Sequence, residues 1–162
     1  MSKPVKAVPA GYHTVTPWII GRDTTGLIEF LKAAFDATET GKVTNKDGSI
    51  GHAEVRIGDS VVMMFDAPCD RHWPDTPALL RLYLPDADAT FARAVAAGAV
   101  PVSGVTHLAF GDRVGRVRDP YGNVWWLQTR VEEVSEDELN RRWSDPEWAK
   151  AMEYVQGARL FD

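Results

Sequence analysis

Short runs that alternate apolar and polar residues are interrupted by two stretches of helical period, and this rhythm occurs twice. His13 to Ile20 is β-branched and aromatic enough for a strand, with Pro17 marking it as an edge or bulge. Asp23 or Thr24 caps a helix whose Leu27, Ile28, Leu31 and Phe35 recur at helical spacing. Three strands follow, Glu39 to Thr44, Ile50 to Ile57 and Ser60 to Asp66, separated by Asn45-Lys46-Asp47-Gly48 and Gly58-Asp59. After a proline-rich connector, Leu79 to Leu84 reads as a strand. Asp86 or Asp88 then caps a helix carrying Phe91, Ala92, Val95 and Ala96 and stopped by Gly98. The last hairpin turns at Asp119-Pro120-Tyr121-Gly122-Asn123, with Asp to open the turn, Pro to preset φ, and Gly and Asn for positive φ. Beyond it Val124, Trp126 and Gln128 share one strand face, and Trp125, Leu127 and Thr129 the other.

The order βαβββ therefore appears twice. Phe30 to Ala34 resembles Phe91 to Val95, and Gly58 to Val62 resembles Gly122 to Trp126, at spacings of 61 and 64 residues. Ser135 with Glu138 fits a capping box, and Asp145-Pro146 fits a second helix start, so two short helices close the chain. Trp148, Met152 and Val155 fall on one face of the second, the pattern of a helix docked on a sheet or on a partner subunit. The expected fold class is α+β, with two tandem βαβββ modules and short C-terminal helices. We expect a single domain over 1–162: module one at about 12–67, a connector at 68–77, module two at about 78–131 and the helices at about 135–157.

Composition narrows the function. A chain of 162 residues that is 44% hydrophobic has enough apolar side chain for a core. A net charge of −5 without a basic stripe argues against nucleic acid. The lone Cys69 offers no internal disulfide, and the start of the chain lacks the apolar run of a signal peptide or membrane span, so a cytoplasmic location without a membrane partner is expected. No Walker or dinucleotide loop and no G-x-S-x-G occurs, and Cys69 has no obvious base beside it.

The duplicated order, together with the segments VTPWII, GHAEVRIGDSVVMMFDA and FGDRVGRVRDPYGNVWW, resembles the glyoxalase, bleomycin-resistance and extradiol dioxygenase superfamily, also called vicinal oxygen chelate, in its PhnB-like branch. The resemblance runs from about residue 12 to 134. It implies two modules whose mixed sheets curve into a cup for a small molecule, often in a homodimer. Many members hold a divalent metal there with His, Gln or Glu on the first and last strands of each module. Carried onto this chain, those positions fall on Met63, Leu79, Trp126 and a place within Thr14 to Thr16. Met, Leu and Trp are not ligands for a hard cation, so no cofactor is expected.

An aromatic and cationic lining stands there instead. Strand parity groups Trp126 with Gln128, Met63 with Phe65, and Arg81 with Tyr83, a wall suited to an aromatic or amphiphilic molecule. The ordinary alternative is that these rings fill a collapsed cup. His52, Glu54 and Arg56 alternate onto one strand face. His52 and Glu54 are candidate catalytic groups and, with His13, an alternative divalent-metal set for a lyase, isomerase or dioxygenase; a solvated face with a cross-strand salt bridge is the plainer reading. Asp112, Arg113, Arg116 and Arg118 read as structural ion pairs. His72 and His107 read as loop residues without a role.

Overall fold

The computed structural model describes residues 5–68, 73–74 and 76–161. Cys69 and His72 lie outside them. The chain divides into two compact units, one ending at Thr76 and the other starting at Pro77.

The first unit runs β1 (Trp18–Gly21), α1 (Thr24–Phe35), β2 (Thr38–Thr44), β3 (Ile50–Ile57) and β4 (Ser60–Asp66), with sheet order β1-β4-β3-β2. Asp23 caps α1 by accepting the Gly26 N–H at 2.9 Å. The helix buries Leu27, Ile28, Leu31 and Phe35 as its spacing predicts, and Ala53, Val55 and Ile57 of β3 are buried. The predicted strand from His13 is mostly absent, because pairing begins only where the Pro17 carbonyl accepts the Met63 N–H at 3.0 Å. Upstream of Pro17 the chain crosses the sheet instead. Arg56 donates to the Gly11 carbonyl at 3.3 Å, and a Cβ on Gly11, whose φ is +83°, would stand 2.9 Å from the Arg56 guanidinium. The positive φ is what favours glycine there, since the tip of an arginine can move aside.

The second unit repeats the order with β5 (Leu79–Tyr83), α2 (Ala87–Ala96), β6 (Val100–His107), β7 (Asp112–Arg118) and β8 (Val124–Arg130), and its sheet order is β5-β8-β7-β6. Asp86 caps α2 at 2.9 Å from the Ala89 N–H, and Gly98 with φ +105° ends it. In the DPYGN loop only Gly122 takes positive φ, so Asn123 does not use the conformation expected of it. Asp119 accepts instead from the backbone N–H of Tyr121 and Asn123, from Asn123 Nδ2 and from Trp125 Nε1, at 2.8–2.9 Å. Asn123 Oδ1 in turn accepts the Ala78 N–H at 3.0 Å, tying β5 to the loop.

Two more helices follow, α3 (Glu136–Trp143) and α4 (Pro146–Gly157). Ser135 caps α3, but Glu138 does not complete the capping box; its carboxylate goes to Arg141 and Arg142. Val155 of α4 joins Leu108 and Val114 in a buried cluster, with Ala151, Met152, Phe110 and Trp126 packed against it. The C-terminal helix thus docks on the face of the second sheet that carries Trp126. Among the described residues no helix is long and apolar enough to cross a membrane.

Candidate functional site

Register places equivalent residues in both sheets. In the first unit Trp18, Met63, Glu54 and Gly41 lie side by side across β1, β4, β3 and β2. In the second the same row is Arg81, Trp126, Arg116 and Ser103 across β5, β8, β7 and β6. Trp18 and Arg81, like Met63 and Trp126, are 63 residues apart. The spacing of 64 read at the glycine turns is therefore one too many for the strands, because the loop at Asp119 is longer than the two-residue turn at Gly58.

On the first sheet His52 and Glu54 do lie together. His52 Nε2 is 2.9 Å from Glu54 Oε1, an interaction along one strand rather than across two. Tyr12 donates its phenol to Glu54 Oε2 at 2.5 Å. The Tyr12 bond, then the His52 bond, lower the Glu54 pKa despite its burial, so the carboxylate stays ionised. The same bond raises the Tyr12 pKa. Trp18 packs edge-on to both His52 and Phe65 with ring centroids 5.5 Å apart, and Phe65 is 5.7 Å from Trp73. A concavity of about 530 Å³ opens beside Met63, lined by Val8, Pro9, Tyr12, His13 and Thr16 among others. His13 does not join His52 and Glu54, since its Nε2 faces the Asp59 carbonyl at 3.2 Å. The displaced metal set is thus not assembled, and among the described residues no group of three or more His, Cys, Asp or Glu side chains is arranged to hold a metal ion. The donor chemistry in the two rows, a thioether and an indole at the central strands, does not fit a hard divalent cation either.

On the second sheet the two adjacent tryptophans diverge. Trp125 is fully buried, with its indole N–H on Asp119 at 2.8 Å. Trp126 is half-buried on the other face, bracketed by guanidinium groups from the strands on either side: Arg81 Cζ lies 4.4 Å and Arg116 Cζ 4.8 Å from its ring centroid. Arg116 is 3% exposed and donates from Nε to Ser103 Oγ at 3.1 Å. Burial pushes its pKa down from the ordinary arginine value. This corrects the expectation of a structural ion pair, which holds for Arg113, bonded twice to Asp88 at 2.7 Å. Gln128, expected to orient a ligand, is buried and bonded to Asp112, whereas Tyr83 is 65% exposed on the edge strand. Leu79 is 47% exposed on that same strand.

His107 is the last residue of β6 rather than a loop residue. Its ring packs edge-on to Trp148, 5.1 Å between centroids, and its Nε2 is 2.8 Å from Glu132. Arg142, 9% exposed, grips Glu132 with two bonds of 2.7 and 2.8 Å, Glu138 at 2.7 Å and the Ala109 carbonyl at 3.2 Å, under the Trp148 ring. Its pKa rises, while Glu138 falls from its ordinary value to about 2, through Arg141 first and Arg142 second.

Sequence reasoning passed over Tyr12, which sits in a Pro/Gly-rich lead-in without strand or helix period. It also misplaced Arg116. The signal was present in Gly115 to Arg118, where cations alternate with Gly and Val on a central strand, so one face of that strand buries charge.

The fold agrees with what the chain is similar to. Residues 12–127 match the Glyoxalase/Bleomycin resistance protein/Dioxygenase superfamily, and the chain belongs to it. An uncharacterised protein of Mycobacterium bovis is 36% identical over 134 residues, covering 77% of this chain and 88% of that one. Among solved structures, a gene product of Arabidopsis thaliana is 26% identical with a TM-score of 0.56 over 69% of this chain and 93% of that one. TioX from Micromonospora sp. ML1 is 24% identical, with a TM-score of 0.58 over 72% and 96%. The TioX likeness is one of fold.

Proposed function

We propose that the chain binds a small aromatic or amphiphilic molecule by side-chain contact, without a chelated metal. The observation that carries this reading is the pair of half-buried side chains at the central strands, Met63 on β4 and Trp126 on β8. They present polarizable surface on the sheet faces turned away from α1 and α2, part of the second being covered by α4. Such surface binds rings through apolar contact and stacking, and neighbouring polar groups set orientation. Phe65 shares the face of β4 with Met63, and on the edge strand β5 Arg81 stands beside Trp126 and Tyr83 beside Gln128. Trp18, Leu79 and Tyr83 are about half exposed or more on the edge strands β1 and β5, which also suits association into a homodimer.

The test is a screen of small aromatic and amphiphilic compounds read by tryptophan fluorescence, in the native protein and in Trp126→Phe, with metal content measured on the same sample. Selective quenching in a metal-free preparation is expected. A preparation with one tightly held metal per chain, lost in His52→Ala, would replace this reading by a second one. That second reading is favoured by one observation: Glu54 and Tyr12 hold His52 in a linked arrangement that suits general-base chemistry.

A further inference from the structure

The face of the second sheet holds two hydrogen-bond donors that have no acceptor among the described residues. Arg116 Nη2 and Trp126 Nε1 are both buried and both without a partner. They belong to residues directly opposite each other in the β7–β8 register, and the Arg116 guanidinium lies 4.8 Å from the indole centroid. Single orphans occur elsewhere in the chain, but here two donors on touching residues share one place, where a single acceptor would serve both.

The charge points the same way. A guanidinium does not shed its proton under ordinary conditions, so burial at 3% exposure leaves a cation that water no longer solvates. Its contacts are Ser103 Oγ, a neutral hydroxyl, and the face of Trp126. Among the described residues, Tyr154 of α4 is the titratable group that acts on it, and a phenol carries no negative charge to pair with it. Asp112 shares the strand face but stands four residues away, roughly 13 Å along a strand, and is bonded to Gln128. Arg81 adds a second cation at the same ring. Two guanidinium groups, two idle N–H donors and no carboxylate make a site that is complete only with an anion.

We propose that Arg116 and Trp126 form an oxyanion-binding pair that takes the carboxylate of a flat aromatic acid, whose body lies against the Trp126 and Arg81 surface. This rests on the reading that the face binds a small molecule, and adds the class of that molecule. Both donors are sealed in the present arrangement, with Met152 and Ala151 of α4 packed against the cluster that Trp126 joins. The Tyr154 hydroxyl also accepts the Gly104 N–H at 2.9 Å. Entry of the acid therefore displaces part of α4, which serves as the cover of the site.

The test uses the full chain and a matched pair of probes, 2-naphthoate and 2-naphthamide, which share shape and differ in charge. Calorimetric titration should show the carboxylate binding at least tenfold more tightly than the amide, with the ratio collapsing toward one in Arg116→Gln. Arg116→Lys keeps the charge without the fork and should retain part of the preference, and it replaces the Gln variant should that one not fold. Arg116→Met, which removes an unpaired buried charge, should melt at a higher temperature than the ligand-free native protein; a lower one would mark Arg116 as structural and overturn the proposal. Equal binding of the two probes would also overturn it while leaving small-molecule binding intact. Binding of neither would remove both.

Discussion

Met63 and Trp126 occupy equivalent places in two sheets built from the same order of elements, yet their surroundings have opposite character. Beside Met63 stands Glu54, ionised and bonded to Tyr12 and His52; beside Trp126 stands Arg116, buried without a counter-ion. Each sheet is also covered differently on that face. In the first unit an irregular lead-in crosses it through Gly11, Tyr12 and Pro17, leaving a concavity of about 530 Å³. In the second a regular helix docks through Val155 and Met152. A duplicated scaffold fixes where a side chain stands but not its chemistry, so each unit offers a face of its own character.

The strongest way to break the symmetry is at the turns. Asp119 is 4% exposed and serves four donors, including the indole of Trp125, whereas the aspartate in the matching hairpin turn of the first unit, Asp59, is exposed at a two-residue turn. Asp119→Ala should cost about 3–5 kcal/mol, since it strands several buried donors, and Asp59→Ala no more than about 0.5 kcal/mol. Chemical denaturation of both variants measures the difference. Equal losses would mean that the loop is not what holds the second hairpin.

Next in size is the contrast between the two central side chains. If the ring is the anchor, Trp126→Ala should weaken ligand binding by about 3 kcal/mol, roughly a hundredfold. Met63→Ala should weaken it less, because a thioether brings less contact surface than an indole. Titration decides, with stability followed in parallel, since a packed Trp→Ala also costs about 3–5 kcal/mol of folding.

The smallest effect comes from acid. Glu54 and Glu138 both have pKa values below their ordinary 4.5, Glu138 at about 2. A depressed folded-state pKa gives stabilisation that is complete above the unfolded value and is lost as pH falls toward the folded one. The Tyr12 and His52 links in the first unit should therefore weaken as pH drops below about 4.5, while the Glu138 bonds of the C-terminal helices should persist further, toward pH 2. Carbon-13 chemical shifts of the two carboxylates against pH would show the order, and a Glu138 midpoint near 4.5 would contradict it.

Much of this was legible in the sequence because it depends on local rules. β3 and β4 follow from period two between turn residues, and α1 from Asp23 and the spacing of Leu27, Ile28, Leu31 and Phe35. The parity of Val124 to Thr129 placed Trp126 opposite Trp125 correctly. What escaped depends on contacts far apart in the chain. Tyr12 meets Glu54 across 42 residues, and His107 at the end of β6 meets Trp148 of α4 with β7, β8 and α3 between them in the chain. Gln128 looked free on its strand face, but Asp112, 16 residues earlier, had claimed it. No periodicity reports such partners.

The Asp119 loop has a consequence for the order in which the second unit assembles. Its four bonds all close within six residues, so they cost little chain entropy and bring β7 and β8 together early. The β5 strand arrives from 45 residues away, where Ala78 meets Asn123, and must wait for a loop that is already formed. The Trp126 face is thus laid down before its edge strand and its helical cover are added. Native-state amide exchange should show the β7–β8 pair opening last and β5 earlier; the reverse order would place the nucleus elsewhere.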